Sequence, residues 1–207
     1  MTAPTVARMR LTGPENERAS VRSVDETRSG HSVLQVPVPP MEEWVRARTT
    51  HYDTDYVSGD PDFVHAHVTA LGPFAPTLDD ETERVVAEIA ARVPAFDYTL
   101  ARIDTFPTGI IHLVPEPAEG FDLLTALLME AFPQFPPYGG EFPPAPHLTL
   151  DLVHGDVTQE STRALLGDLV PVRGRAEWLD LAWYEPGRCH LVRRWPLGAT
   201  GASDLPQ

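Results

Sequence analysis

Strand-like and helix-like segments alternate along this chain in an order that occurs twice. Each unit has the order strand, helix, strand, helix, strand; the units cover roughly residues 32–106 and 110–184, and one more strand follows. The strands are predicted at 32–38, 63–71, 95–106, 109–115, 145–153, 175–184 and 189–197, and the helices at 39–51, 78–93, 121–132 and 161–170. This order indicates a duplicated domain in which helices cover β-structure.

Both ends of the chain lack this periodicity. Residues 1–30 mix Arg, Glu, Ser and Thr, which predicts a disordered or loosely packed N-terminal arm, and residues 198–207 are predicted to form a polar tail. Residues 31–197 then form a single domain. No apolar run approaches the ~18–20 residues that a membrane helix needs, and the N-terminus lacks the apolar stretch of a secretory signal. We therefore predict a cytoplasmic protein with no membrane partner.

The charge balance excludes one class of partner. The chain has 30 acidic and 16 basic residues, all arginine, for a net charge of −14. Residues 1–30 hold five arginines and four acids, so the remainder has 11 arginines and 26 acids, a charge of −15. Such a surface repels polyanions, so we predict no binding of long nucleic acid. The single cysteine, Cys189, cannot form an internal disulfide or a thiolate metal cluster.

The same tripeptide pattern occurs in the third element of each unit. The two copies are His67-Val68-Thr69 and His147-Leu148-Thr149. Strand side chains alternate, so each histidine shares a face with its threonine, and the apolar residue between them points into the core. Two imidazoles can act as general base and general acid on a phosphodiester. Two threonine hydroxyls can hydrogen-bond its non-bridging oxygens.

These motifs resemble those of the 2H phosphoesterase superfamily, which includes the 2′-5′ RNA ligase-like proteins of bacteria and the 2′,3′-cyclic-nucleotide phosphodiesterases. The matching segments are HVTALGPF at 67–74 and HLTL at 147–150, and the closing VRRWPL is similar to the family's terminal strand. The resemblance covers residues 31–197. It implies an α+β, bilobal, duplicated fold with two antiparallel sheets flanked by helices, and each lobe contributes one motif to a central groove.

The resemblance also implies a site and an activity. His67 and His147 are the expected catalytic base and acid, in an order that the sequence does not assign, and Thr69 and Thr149 are the expected phosphate ligands. The reaction is metal-independent hydrolysis of a cyclic phosphate or a 2′-linked phosphodiester, and its reverse is RNA ligation. We expect no metal and no cofactor, a small nucleotide or short RNA end as substrate, and a monomer. The alternative is a non-catalytic module that binds a nucleotide or cyclic phosphate.

Further side chains are candidates for substrate binding. His65 lies two positions before His67 and shares its face, although a rim histidine is the more common role; with His67 and His147 it would form an alternative three-histidine metal site. Trp183 and Tyr184 end a strand that should border the groove, where one of them could stack on a base. The loops at 51–62 and 132–146, the second of which carries Tyr138, enter the catalytic strands and are expected to select the substrate.

Overall fold

The computed structural model describes residues 30–140 and 142–199, without the side chain of Tyr138. Most of the predicted arm and tail lies outside these residues. The described part contains eight strands and four α-helices. The strands are β1 His31–Pro37, β2 His67–Leu71, β3 Phe96–Thr105, β4 Ile110–Glu116, β5 Leu148–Leu152, β6 Val172–Ala176, β7 Trp178–Tyr184 and β8 His190–Pro196; the helices are α1 Glu42–Tyr52, α2 Asp80–Arg92, α3 Glu119–Ala131 and α4 Gln159–Leu166.

All eight strands belong to one antiparallel sheet with the order β6-β3-β4-β5-β2-β1-β7-β8. This confirms the α+β class and corrects the prediction of two sheets. The chain instead builds two four-stranded halves, which join where β2 pairs with β5 through Val68 and Leu148. The join lies at the centre of the sheet, between the two histidine–threonine motifs.

The two halves exchange strands. In the first half β1 lies between β2 and β7, and in the second half β4 lies between β5 and β3. The last strand of each sequence unit therefore pairs with the other unit. The predicted strand at 175–184 is also divided in two, because β6 ends at Ala176 and β7 begins at Trp178. β6 is the first strand in the order given above and β7 is the last but one, so they lie in different halves.

The helices cover the sheet for reasons visible in the sequence. The Asp79 carboxylate accepts from the amide of Thr82 and caps α2, whose first turn is acidic, as the helix dipole favours. Helix α2 buries Val86, Ile89 and Ala90, and α3 buries Phe121, Leu124 and Leu128. Helix α3 packs on β2 and against α2. Together these contacts form the main core on the face of the sheet that carries Val68 and Leu148.

Helix α1 differs from the other helices because none of its residues is buried. It lies near β5, and Arg48 from α1 pairs with Asp151 from β5. Four of its residues line a groove; they are Val45, Arg48, Thr49 and Tyr52. Among the described residues, no helix has the length and apolar character needed to cross a membrane.

Candidate active site

The register at the join brings the two motifs together. Val68 pairs with Leu148 in an antiparallel ladder, and both side chains are buried. In such a ladder the residues that flank one partner lie opposite those that flank the other, so His67 lies opposite Thr149 and Thr69 lies opposite His147. Side chains alternate along each strand, so these four project from the face opposite the core. Each histidine is therefore placed across from the threonine of the other motif.

Both imidazoles are oriented in the same way. The Nδ1–H of His67 donates to the carbonyl of His65, and the Nδ1–H of His147 donates to the carbonyl of Ala145, each at 2.7 Å. A carbonyl is only an acceptor, so both rings carry their proton on Nδ1 when neutral. This leaves both Nε2 atoms available as proton acceptors. An acid–base pair needs this state before one of the rings takes up a proton.

Burial controls the charge of both rings. Burial lowers the pKa of His67 to about 4, and the neighbouring His147 and His65 rings contribute to the shift. Burial also lowers the pKa of His147, with a contribution from His112. Both imidazoles are therefore neutral near pH 7 in the free protein. A bound phosphate anion would favour the protonated form of one of them.

Two neighbouring cavities lie where β2 pairs with β5. A groove of about 820 Å³ is lined by His67 and Thr149 together with residues of α1 and Tyr184. A second cavity of about 380 Å³ is lined by His147, Phe106 and Phe142. Ile110 lines both cavities, so they are neighbours, with His67 in the lining of the first and His147 in the lining of the second. Thr69 is half-buried and is not part of either lining.

Comparison with known proteins identifies the family. A family model described as the 2′-5′ RNA ligase superfamily matches residues 36–188. The chain belongs to this superfamily. The match confirms the resemblance to 2H phosphoesterases predicted from the two motifs.

Solved structures of this superfamily share the fold. E. coli LigT in complex with 3′-AMP is 19% identical, with a TM-score of 0.51, over 81% of this chain and 97% of the LigT chain. TT0787 of Thermus thermophilus is also 19% identical, with a TM-score of 0.51, over 81% of this chain and 98% of its own. Comparison with curated proteins gave no match.

Among the site residues predicted from the sequence, His65 has a distinct environment. It lines the groove but is only 6% exposed. Its Nδ1–H donates to Glu42 Oε1 at 2.6 Å, and its Nε2 accepts from the amide of Ser58 at 3.0 Å. Both ring nitrogens are thus engaged by the protein. Within the described residues, no group of three or more His, Cys, Asp or Glu side chains is arranged to hold a metal ion.

The three aromatic candidates are in different positions. Tyr184 lines the groove, its hydroxyl donates to Gln35 Oε1 at 2.8 Å and lies 3.2 Å from His67 Nδ1, and burial raises its pKa. Trp183 is not part of the groove lining, because its ring packs on Gly30 and its indole N–H donates to Glu185 at 2.9 Å. The Tyr138 side chain lies outside the part of the chain that the structure describes.

Sequence reasoning missed the polar cluster on the α1 side of the groove. Arg48, Tyr52 and Asp151 hydrogen-bond to one another there. A local signal existed for one of them, because Asp151 follows the second motif directly on β5 and lines the groove together with Thr149. Four other arginines on or next to strands form ion pairs and do not line the groove; they are Arg102, Arg175, Arg188 and Arg193. Arg48 is the arginine that lines the groove within the described residues.

Proposed function

We propose that this member of the superfamily is a metal-independent 2H phosphoesterase. In this proposal His67 and His147 perform the two proton transfers, and Thr69 and Thr149 bind the phosphate. The observation that carries it is the register at Val68 and Leu148, which sets each imidazole opposite a hydroxyl at the join between the two halves. Each half contributes one motif. The matching Nδ1 hydrogen bonds, which leave both Nε2 atoms available, support the same assignment.

The proposed hydrolysis needs two proton transfers and one displacement at phosphorus. The Nε2 of one imidazole removes a proton from water as the water oxygen forms a bond to phosphorus. The bond from phosphorus to the ribose oxygen breaks, and that oxygen takes a proton from Nε2 of the other imidazole. The rings finish with their protonation states exchanged, and solvent restores them. Threonine hydroxyls donate to the non-bridging oxygens, where negative charge accumulates.

The substrate we propose is a cyclic phosphate or a 2′-linked phosphodiester of a small nucleotide or RNA end. The groove of about 820 Å³ is large enough for a ligand of nucleotide size. The chain after residue 30 has a charge of −15 and would repel a long polyanion, whereas a single phosphate can be held by local hydrogen-bond donors. LigT, which shares the fold, has been crystallised with 3′-AMP, and this supports a nucleotide ligand here.

The decisive experiment combines a substrate panel with single substitutions. Wild type, His67→Ala and His147→Ala are incubated with 2′,3′-cyclic nucleotides and 2′-5′-linked dinucleotides, and products are separated by chromatography. We expect hydrolysis by wild type and a loss of at least ~100-fold in each variant, because general acid–base catalysis contributes about 10²–10⁴-fold. Circular dichroism verifies the fold of each variant.

His190→Ala is the matched control. His190 is exposed on β8, and its Nδ1–H donates to the carbonyl two residues earlier, as in the catalytic pair. It does not line the groove. Its replacement should leave turnover unchanged. Full activity in either catalytic variant would refute the proposal, and a nucleotide that wild type binds but leaves intact would favour the binding module instead.

A further inference from the structure

An exposed tyrosine lies in the groove at a distance from the two histidines. Tyr52 is the last residue of α1, lines the groove and is 46% exposed. An exposed aromatic ring in a ligand-sized groove is a surface on which a flat apolar group can pack.

The Tyr52 ring is fixed in spite of its exposure. Its hydroxyl donates to Asp151 Oδ1 and accepts from Arg48 NH2 at 2.8 Å. The Arg48 guanidinium also pairs with Asp151 and lies over the Tyr52 ring, 5.0 Å from its centroid. The His154 ring contacts Tyr52 edge-on, with 5.7 Å between centroids. A ring held in this way loses little conformational entropy when a ligand packs on it.

The position of Tyr52 relative to the proposed phosphate site follows from strand geometry. Its partner Asp151 lies two residues after Thr149 on β5, about 7 Å along the strand, and both residues line the groove. Tyr52 hydrogen-bonds to Asp151 and therefore lies farther along β5 than the threonine that would bind phosphate. The buried Asp151 carboxylate is occupied by Tyr52, Arg48 and the amide of Leu152. The Arg48 charge is already paired, so an aromatic ligand fits this end of the groove better than a second anion.

Tyr184 is the other groove tyrosine, and its surroundings differ. Its ring packs against Phe63, His31 and His67, with centroid distances of 5.3, 5.8 and 5.8 Å. Its hydroxyl is engaged by Gln35. Tyr184 therefore packs beside the reacting atoms, whereas Tyr52 presents a more open ring away from them.

We infer that Tyr52 is the stacking platform for the nucleobase of the substrate. This assignment rests on the proposed function, because it takes the phosphate position from the two motifs. Stacking contacts the face of a base and makes no hydrogen bonds to its edges, so the platform should accept any of the common bases. Arg48 and Asp151 are positioning residues that hold the ring in place.

The test compares a substrate that has a nucleobase and a substrate that lacks one. Tyr52→Leu, Tyr52→Phe and wild type are assayed for kcat/KM with adenosine 2′,3′-cyclic phosphate and with glycerol 1,2-cyclic phosphate. We expect Tyr52→Leu to lower kcat/KM at least about tenfold for the nucleotide, mainly through KM, and to leave the glycerol compound unchanged. Tyr52→Phe keeps the ring and should retain most of the nucleotide activity. Trp178→Leu, at a 40% exposed ring outside the groove lining, should change neither substrate.

Two results would overturn the assignment: equal losses for both substrates in Tyr52→Leu, or no loss for either. A binding measurement separates this outcome from failure of the proposed function. Calorimetry with 3′-AMP and with inorganic phosphate should show that Tyr52→Leu weakens only the 3′-AMP complex, even if wild type cleaves neither cyclic substrate. If wild type does not bind 3′-AMP, the platform is refuted directly.

Discussion

Glu42 on α1 and His65 before β2 are joined by a hydrogen bond of 2.6 Å between Oε1 and Nδ1. The second Glu42 oxygen accepts from the amide of Ala66 at 3.0 Å, and these bonds lower the pKa of Glu42 although burial opposes them. The carbonyl of His65 in turn accepts from His67 Nδ1. A carboxylate on α1 therefore fixes the backbone that orients a proposed catalytic imidazole.

Glu42→Ala should destabilise the protein and slow the reaction. It removes the acceptor of a buried imidazole and of one amide, so we expect a loss of about 1–3 kcal/mol in the free energy of unfolding, measured by urea denaturation. The turnover number should also fall, since the segment that orients His67 loosens. Glu43→Ala is the matched control, because Glu43 is exposed in the same turn. Equal stability of the two variants would contradict this role for Glu42.

The two motifs were predictable because their information is local. Strand alternation alone places His67 beside Thr69 and His147 beside Thr149, each pair on one face. The register across the join involves residues 80 positions apart, from Val68 to Leu148, and local periodicity says nothing about it. The exchange of β3 and β7 between the halves was missed for the same reason, and so was the Arg48–Asp151 pair.

Strand β6 was predicted only at its last two residues, because its sequence has few apolar side chains. Only Val172 and Ala176 are buried in VRGRA, and the two arginines point to solvent. The glycine between them is required by packing, because a Cβ on Gly174 would lie 2.5 Å from the Tyr98 ring. Glycine weakens a strand pattern in sequence, yet here it allows β6 to lie against Tyr98 of β3.

Leu148→Ala should weaken the join between the halves. Leu148 is fully buried and is the β5 partner of Val68, so we expect a loss of about 2–5 kcal/mol in the free energy of unfolding. Activity should fall beyond the loss of folded protein, because His147 and Thr149 flank the cavity that forms. Leu165→Ala, at a 64% exposed position on α4, should change stability by no more than about 0.5 kcal/mol. If Leu148→Ala lowered the free energy of unfolding by no more than about 0.5 kcal/mol, the contact between β2 and β5 would contribute little to stability.

Chelators should leave the activity unchanged. The three-histidine metal site needs a free ring nitrogen on His65, whose two nitrogens bond to Glu42 and to the Ser58 amide. Initial rates after prolonged dialysis against EDTA should equal those of the untreated protein, and added Zn²⁺ should not raise them. Inactivation by EDTA that Zn²⁺ reverses would instead favour the metal site.

The pH dependence of kcat/KM should be bell-shaped, with its maximum below pH 6.5. The profile of kcat/KM reports the free enzyme. There, burial lowers the pKa of His67 to about 4 and holds the pKa of His147 below its ordinary 6.5. The ring with the lower pKa is the better candidate for the neutral base, so rates should fall as pH drops through the pKa of His67, which protonates the base. They should also fall as pH rises through the pKa of His147, which deprotonates the acid.

The profile of kcat should lie at higher pH, because the bound phosphate anion stabilises an imidazolium and raises both pKa values. Initial rates with a 2′,3′-cyclic nucleotide from pH 3.5 to 9 measure both profiles, and His190→Ala should reproduce them. A kcat/KM plateau that extends well above pH 7 would show that the free site does not lower these pKa values.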